Sequence, residues 1–264
     1  MHDFNFIQPK SAAAAADALA GAEDGQYMAG GQTLIPVLKQ RLAMPTDVVD
    51  LSAIPGLAGI EVSGGAVRVG AMTTHAAVAA SGAVRDAVPA LAHLAGLIGD
   101  PHVRNRGTLG GSIANNDPAA DYPAAVLGLG ATVVTESREI AADDFFTDLF
   151  ETALDDGELV TRVDFPVPDA AAYVKFPNPA SRYAIVGVFV SRAGGAVRVA
   201  VTGAGPCVFR QAEMEAALSA EFSAEAIAGV AIAADDLNND LHASAEYRAH
   251  LVGVMARRAV AEIA

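Results

Sequence analysis

This chain contains four Gly-Gly pairs, and they constrain its fold more than any other feature of the sequence. Two of them, Gly64-Gly65 and Gly194-Gly195, each lie between two strand-like runs. A two-glycine connection suits the positive φ angles of a primed turn, so both pairs predict β-hairpins. Gly30-Gly31 follows a short apolar run and precedes a helical pattern, whereas Gly110-Gly111 lies in a glycine-rich segment. The pattern therefore predicts a mixed α/β fold.

The spacing of apolar residues predicts the individual elements. Helices are predicted where apolar residues recur at helical spacing, at residues 11–21, 34–42, 74–81, 84–97, 212–218, 224–233 and 245–263. Strands are predicted at short apolar runs, at residues 27–29, 48–51, 60–62, 67–69, 132–135, 159–165, 173–176, 184–191 and 196–202. Pro166 and Pro168 indicate a domain boundary. We therefore predict an α/β domain over residues 1–166 and a smaller α+β domain over residues 167–264, with a three-stranded antiparallel sheet and helices.

Composition limits the class of protein. Apolar residues make up 52% of the 264 residues and charged residues 18%, which is typical of a globular protein with a substantial core. Lysine and arginine number 17 against 31 acidic residues, and the net charge of −14 argues against nucleic acid or an anionic membrane as the main partner. The longest apolar stretch, residues 124–134, is too short to span a bilayer, and no secretory apolar segment is present at the N-terminus. We therefore expect a soluble, cytoplasmic protein.

The single cysteine, Cys207, excludes several kinds of site. One thiol cannot build a disulfide framework, a cysteine-ligated zinc site or an iron–sulfur cluster, so any such cluster is expected on another chain. The six histidines have no carboxylate or cysteine at ligand spacing, so no metal site is predicted. Residues 136–158 contain nine acidic residues and one arginine, which predicts a solvated face that could also help to select a partner.

Two glycine-rich motifs are the strongest candidates for ligand binding. They are Ala29–Leu34 and Thr108–Ser112. Adjacent glycines let backbone N–H groups approach an anion closely, and both motifs contain a hydroxyl or amide side chain that can also donate. Either motif alone is more typical of a plain turn than of a ligand site. Together they predict two nests of N–H groups that could hold two phosphates.

The surroundings of these motifs extend the pattern over nearly the whole chain. They comprise Asp3–Pro9, Thr73–His75, Ile98–Gly107, Asn115–Pro123, Glu158–Val160, Phe165-Pro166, Lys175, Ala180–Tyr183 and Ala243–Arg248. With the glycine motifs, these segments resemble the FAD-binding medium subunit of the xanthine dehydrogenase and aerobic carbon monoxide dehydrogenase family, the molybdenum-containing hydroxylases. The resemblance implies a PCMH-type FAD-binding domain of two small α/β subdomains, followed by a C-terminal domain like that of carbon monoxide dehydrogenase flavoproteins.

The resemblance also implies a set of cofactor-binding residues. The FAD pyrophosphate is assigned to both glycine motifs, through Met28, Ala29, Gly30, Gly31, Gln32, Thr33, Leu34, Ile35, Thr108, Leu109, Gly110, Gly111 and Ser112. Asp121 matches a carboxylate that binds the flavin nucleotide, and an ionised carboxylate accepts from hydroxyl or N–H donors. Ile98 and Gly99 match positions beside the cofactor, with Ile98 packing on the flavin. Val160 and Lys175 match residues that line the site, where the lysine charge favours a reduced, anionic flavin.

The chain departs from the family pattern at two points. Ser112 stands where many relatives have Asn or Asp, so its contact with the cofactor is expected to be shorter or water-mediated. The four-cysteine insertion that gives one branch of the family an extra iron–sulfur cluster is absent. The flavin is therefore the only redox centre expected on this chain, and no residue is expected to act on the hydroxylated substrate.

The partners and the electron route follow from the resemblance alone. A large partner subunit would carry the molybdenum cofactor and oxidise the substrate, and a small partner would relay electrons through two [2Fe–2S] clusters. The FAD on this chain would pass those electrons to an external acceptor. A dimer of such heterotrimers is expected. Two alternatives stay open: a stand-alone flavin oxidoreductase of the same wider fold, resembling the peptidoglycan-precursor reductase, and a non-catalytic nucleotide-binding scaffold subunit.

Five further residues, two histidines, two arginines and the single cysteine, lie outside this assignment. His75 and His102 are expected to make structural hydrogen bonds, since a histidine near a ligand is usually part of the scaffold. Arg104 and Arg106 could contact a phosphate or fix carbonyl groups of their own loop, and the sequence leaves both roles open. Cys207 is expected to be a buried, inert thiol.

Overall fold

The computed structural model describes residues 1–264. Its strands are β1 (Asn5–Ile7), β2 (Gly25–Met28), β3 (Asp47–Asp50), β4 (Ile60–Ser63), β5 (Ala66–Gly70), β6 (Thr132–Thr135), β7 (Glu139–Ala141), β8 (Phe146–Asp148), β9 (Glu151–Thr152), β10 (Val160–Pro166), β11 (Ala170–Pro177), β12 (Ala184–Ala193), β13 (Ala196–Thr202) and β14 (Phe209–Arg210). Its α-helices are α1 (Ala12–Ala20), α2 (Leu34–Lys39), α3 (His75–Ala80), α4 (Gly82–Ala87), α5 (Pro89–Gly96), α6 (Pro101–Arg104), α7 (Leu109–Asn115), α8 (Tyr122–Leu129), α9 (Ala142–Phe145), α10 (Ala212–Ala220) and α11 (Ala245–Ile263). The predicted mixed α/β class is confirmed.

The first sheet is small and parallel, with the strand order β1-β3-β2. Helix α1 packs against β2 and β3. Its N-terminus is capped by Ser11, whose hydroxyl accepts from the N–H of Ala14. The first glycine motif follows β2 directly and leads into α2. This sheet therefore presents the motif at the carboxyl end of β2.

The second sheet has five antiparallel strands in the order β4-β5-β10-β6-β7. β4 and β5 form the predicted hairpin, in which Gly64 and Gly65 have φ angles of 59° and 77°. Helices α7 and α8 pack on this sheet, and every residue of α8 is buried. The core around α8 also contains Tyr173 and Phe189 from the C-terminal segment. The N-terminal and C-terminal segments thus share one hydrophobic core.

The C-terminal segment forms an antiparallel sheet in the order β11-β12-β13-β14. The three predicted strands are β11, β12 and β13, and the two-residue strand β14 extends the sheet at the edge of β13. Gly194 and Gly195 form the predicted turn with φ angles of 55° and 86°. Helix α11 packs on β11 and β12, and α10 packs on β13.

Two predicted helices differ from the structure. Residues 224–233 form turns and irregular backbone, so that prediction is wrong. Gly229 interrupts the alanine-rich run, and only Ile227 within it is fully buried, so the segment has no continuous apolar face. Residues 84–97 form two helices, because Pro89 lacks the N–H needed to continue α4 and instead begins α5. None of the helices has both the length and the apolar character that crossing a bilayer requires.

Candidate functional site

A cavity of about 610 Å³ lies where the first sheet, the second sheet and the loop between β11 and β12 meet. This volume is within the range of small-molecule and cofactor sites. Fifteen of the eighteen residues assigned to FAD from the sequence line it: Met28, Ala29, Gly30, Gly31, Gln32, Thr33, Leu34, Ile98, Gly99, Thr108, Gly110, Gly111, Ser112, Asp121 and Val160. The fold therefore brings together segments that are far apart in the sequence.

Three assigned residues do not line the cavity. Leu109 is fully buried in the core below the second motif. The side chain of Ile35 packs back against its own turn, 2.6 Å from where a Cβ on Gly31 would stand. Lys175 lies behind Asp121, and its side chain is only 2% exposed. Neighbouring residues of a helical turn point in different directions, so a continuous stretch of sequence cannot line a cavity throughout.

The first glycine motif offers a run of free donors. None of the backbone N–H groups from Gly30 to Leu34 donates to a backbone carbonyl. Gly31 has a φ angle of 70°, which favours glycine. A Cβ on Gly30 would overlap the carbonyl oxygen of Arg106, so no larger residue fits at that position without movement of the backbone. A run of free N–H groups on such a turn fits an anionic group such as phosphate.

The second motif is built differently. The N–H groups of residues 109–112 donate, in order, to Thr73 O at 3.0 Å, Ala71 O at 2.8 Å, Thr108 Oγ1 at 3.1 Å and Thr108 O at 3.1 Å. The structure thus contradicts the prediction that these amides form a second phosphate nest, because the fold already uses them. Glycine is needed here for close packing, since a Cβ on Gly110 would stand 2.5 Å from the Cβ of Ala71.

The two motifs nevertheless lie side by side. A Cβ on Gly111 would stand 3.3 Å from the Cβ of Ala29, and one on Gly30 would stand 2.9 Å from the Cα of Gly107. Thr108 caps α7 through its side chain, and Ser112 follows within the same helix. The second motif therefore forms a closely packed wall next to the free donors of the first.

Asp121 lines the cavity just before α8 and is 4% exposed. Its Oδ1 accepts from the Tyr173 hydroxyl at 2.5 Å, and its Oδ2 accepts from Lys175 Nζ at 2.9 Å. Burial raises the pKa of Asp121, whereas Lys175 and Tyr173 act in the opposite direction. The Lys175 charge is paired with Asp121 and is buried behind it, so an effect of Lys175 on a flavin stays a prediction.

Ile98 and Gly99 are held at the cavity by arginine side chains. Arg104 Nη1 donates to the carbonyls of both residues at 3.0 Å, and Arg182 Nη1 donates to Gly99 O at 3.3 Å. Of the two roles left open for Arg104, the structure therefore supports the fixing of loop carbonyls. Arg106 is exposed and does not line the cavity.

His75 is a buried residue of the cavity wall and is not among the residues assigned to the cofactor. Its ring lies 5.3 Å from the ring of Tyr122, and its Nδ1 has no hydrogen-bond partner, contrary to the structural hydrogen bond expected. Burial, assisted by the charge of Arg104, lowers the pKa of His75 to about 4, so the ring is neutral at pH 7. His102 is exposed and does not line the cavity.

The cavity wall also contains residues that the sequence pattern does not identify. Asp117, Ser181, Arg182 and Tyr183 all face the cavity. Burial raises the pKa of Asp117, and burial together with the nearby carboxylates raises that of Tyr183. Ser181–Tyr183 belong to the loop after β11, which only the tertiary fold brings to the cavity. Asp117 had a local signal, since it lies four residues before Asp121 in the same short segment.

Glu158 also lines the cavity and is the one acidic residue of 136–158 that is not exposed, whereas the other eight lie on the predicted solvated face. Its side chain is 4% exposed, and its carboxylate accepts from the Arg138 guanidinium at 2.6 and 2.9 Å and from the Thr135 hydroxyl at 2.8 Å. These donors hold the pKa of Glu158 well below its usual range. Glu158 is thus an anchor for its loop. Cys207 is half-buried, and burial raises the pKa of its thiol.

The residues around the cavity fit a nucleotide carrying a ring system. Residues Gly30–Leu34 provide N–H donors for an anion, and Asp121 provides an acceptor for hydroxyl or N–H groups. Ile98, Leu159 and Val160 provide aliphatic surface of the kind that packs on a planar ring. The donor set contains no group of metal ligands and is suited to an organic anion.

Two family descriptions match consecutive parts of the chain. The family described as "FAD binding domain in molybdopterin dehydrogenase" matches residues 2–168. The family described as "CO dehydrogenase flavoprotein C-terminal domain" matches residues 171–263. Together the two matches cover almost the entire sequence.

Curated relatives and solved structures match over the same length. The nicotine 6-hydroxylase medium subunit of Paenarthrobacter nicotinovorans is 39% identical, over 97% of this chain and 96% of the relative. The structure of reconstituted CO dehydrogenase from Oligotropha carboxidovorans superposes with a TM-score of 0.89 at 34% identity, over 98% of this chain and 96% of the other. Quinoline 2-oxidoreductase from Pseudomonas putida 86 superposes with a TM-score of 0.88 at 30% identity, over 98% and 96% of the two chains.

Proposed function

The chain belongs to the family of FAD-binding medium subunits of the molybdenum hydroxylases, and on that premise we propose that its FAD carries electrons from partner iron–sulfur clusters to an external acceptor. It is an oxidoreductase subunit, and FAD is its cofactor. The observation that carries the proposal is the run of free N–H groups from Gly30 to Leu34 in the same cavity as Asp121.

The residues of the chain have distinct roles in this proposal. The N–H groups of Gly30–Leu34 bind the pyrophosphate, and Asp121 accepts from a hydroxyl or N–H group of the flavin nucleotide. Ile98 and Val160 exclude water from the ring system. Bound FAD supplies a carrier that can accept electrons singly and release them in pairs. Of the eighteen assigned residues, the fifteen that line the cavity are proposed as direct contacts, and Lys175 is proposed to act through Asp121.

The chain is proposed to work with two partner subunits. The large partner carries the molybdenum cofactor and oxidises the substrate, and the small partner carries two [2Fe–2S] clusters. Relatives named as medium chains of carbon monoxide dehydrogenase support a complex of several chains. A dimer of heterotrimers in the cytoplasm is the assembly we propose. Residues 1–166 form the flavin domain of this chain, and residues 167–264 form its C-terminal domain.

One measurement separates this proposal from its alternatives. The tagged chain is purified from its native host, its absorption is recorded from about 300 to 700 nm, and its flavin is identified after denaturation. We expect FAD, added iron–sulfur absorbance and two co-purifying chains. Absence of FAD from an intact three-chain complex would favour the scaffold alternative. FAD on a chain that purifies alone, without iron, would favour a stand-alone flavin oxidoreductase.

A further inference from the structure

Two tyrosines next to the cavity are buried to the same degree but differ in their hydrogen bonding. Tyr122 is 0% exposed and Tyr173 is 1% exposed. The hydroxyl of Tyr122 has no hydrogen-bond partner. The hydroxyl of Tyr173 donates to Asp121 Oδ1 at 2.5 Å. Only Tyr173 therefore contacts a residue of the proposed flavin site through its polar atom.

The position of Tyr173 follows from the geometry of β11. Tyr173 and Lys175 are two residues apart on this strand, and alternate residues of a strand point to the same side. Both side chains reach Asp121, where one donates to Oδ1 and the other to Oδ2. One strand of the C-terminal sheet thus supplies a hydrogen-bond donor to each oxygen of the Asp121 carboxylate.

These two hydrogen bonds leave Asp121 able to bind a ligand. An ionised carboxylate has about four lone-pair positions, and Tyr173 and Lys175 use two of them. The remaining positions belong to a residue that lines the cavity. A ligand group that donates to Asp121 would therefore meet a carboxylate whose orientation is already fixed, so binding would not have to order it.

We propose that Tyr173 is a positioning residue for the flavin nucleotide, because its hydroxyl fixes the orientation in which Asp121 presents its free lone pairs to the cavity. This inference rests on the proposed function, in which Asp121 contacts FAD. Tyr173 itself does not line the cavity and acts only through Asp121.

The groups around Asp121 should make the role of Tyr173 visible in the pH dependence of FAD binding. Burial raises the pKa of Asp121, while Lys175 and the Tyr173 hydroxyl lower it. The charge of Asp121 also acts on Tyr183 in the cavity wall and on the buried Tyr122, and neither residue is changed by a substitution at position 173. Removal of the Tyr173 hydroxyl therefore raises the pKa of Asp121, and the ionised acceptor is lost at a higher pH.

The test compares Tyr173→Phe with Tyr122→Phe on the full chain. Each variant loses one buried hydroxyl, but only the first loses a hydrogen bond. The FAD dissociation constant is measured by flavin fluorescence from pH 8 down to pH 5, and urea unfolding checks that each variant folds. We expect Y173F to bind FAD about tenfold more weakly at pH 7, since a hydrogen bond to a charged group is lost, and to release FAD at a higher pH. We expect Y122F to match the wild type in both respects.

Two Asp121 variants separate failure of this inference from failure of the proposed site. If Asp121→Asn keeps wild-type FAD affinity, the assignment of Asp121 in the proposed function is wrong. If D121N loses affinity but Y173F keeps the wild-type affinity and pH profile, only the positioning role is wrong. The double variant D121N/Y173F has no carboxylate at position 121 for residue 173 to orient. Its FAD dissociation constant should therefore lie within about twofold of that of D121N. A larger further loss would show that Tyr173 acts by general packing and would overturn the inference.

Discussion

Asp121 and Lys175 lie 54 residues apart in the chain and form an ion pair in which both side chains are almost completely buried, 4% and 2% exposed. Asp121 precedes α8, and Lys175 lies on β11. The pair therefore joins the cavity wall to the C-terminal sheet. Removing one partner of a buried pair leaves an uncompensated buried charge, which is far more destabilising than removing both.

This relationship predicts a large effect of Lys175→Met on stability. We expect K175M to lower the free energy of unfolding by about 3 kcal/mol, because the Asp121 carboxylate loses its counter-ion in a buried site. The double variant K175M/D121N should be closer to the wild type, since it removes the charge as well as its partner. Urea unfolding of the three proteins at pH 7 measures both differences. Equal stability of the single and double variants would contradict this account of the pair.

The packing of Gly30 predicts that even one added carbon atom removes the cofactor. A Cβ at this position would overlap the Arg106 carbonyl oxygen, so Gly30→Ala should displace the segment that carries the free N–H groups. We expect G30A to purify with less than about a tenth of the wild-type FAD content. Flavin absorbance per mole of protein is the measurement.

Gly82 provides the matched control for Gly30. A Cβ there meets no atom within 4 Å, and neither glycine has a positive φ angle. Alanine also has the higher helix propensity, so G82A at the start of α4 should keep its FAD and be as stable as the wild type or slightly more stable. Loss of FAD in both variants would show that the effect is not specific to the first motif.

His75 should be a buried base that stays neutral over most of the accessible pH range. Its pKa is lowered to about 4, whereas that of an unfolded histidine is about 6.5. Between these values the unfolded chain binds more protons, so the contribution of neutral His75 to stability is complete above pH 6.5 and is lost as the pH falls towards 4. NMR titration of the His75 ring should give the low pKa directly.

The same residue can be tested by its effect on unfolding. In the wild type, His75 should make the free energy of unfolding fall between pH 6.5 and 4. In His75→Gln this fall should be smaller, by at most about 3 kcal/mol. His93→Gln, at an exposed residue of α5, is the control and should leave the curve unchanged. An ordinary pKa for His75 in the NMR titration would rule out this account of the cavity wall.

Glu158 should also stabilise the fold, but in its charged form, whereas His75 does so in its neutral form. Its pKa is held low by the donors around it, so its contribution is complete above the ordinary glutamate value of about 4.3 and is lost as the pH falls towards its folded-state value. Arg138 is 42% exposed, so water screens part of the ion pair, and we expect Glu158→Gln to cost about 1–2 kcal/mol at pH 7. The difference between E158Q and the wild type should shrink below pH 4, as followed by urea unfolding.

The two glycine motifs show how far a sequence pattern can predict a site. The pattern predicts phosphate binding for both, and both line one cavity. Yet only the motif at Gly30 offers a run of free N–H groups, because those of residues 109–112 already donate to Thr73, Ala71 and Thr108. The local sequence specifies where glycine is needed. It does not specify whether the reason is a ligand or a packed neighbour.

The contacts of Asp121 required tertiary information as well. The resemblance identifies the residue itself as the match of a family carboxylate, but its partners Tyr173 and Lys175 lie on β11, 52 and 54 residues further along the chain. Alternation along β11 could have shown that these two side chains share a face, though not which carboxylate they meet. Similarly, the strands on either side of Gly64-Gly65 and Gly194-Gly195 were predicted because their hairpin turns depend only on neighbouring residues.

The complete burial of α8 has a consequence for how the protein is made. When Asp121 leaves the ribosome, Tyr173 and Lys175 lie 52 and 54 residues further along the chain and have not yet been added or released. Domains fold in general as units during synthesis, but here the helix that begins the cofactor site is enclosed by strands from the later segment. FAD can therefore meet the fully oriented Asp121 carboxylate only after translation has passed β11 and β12.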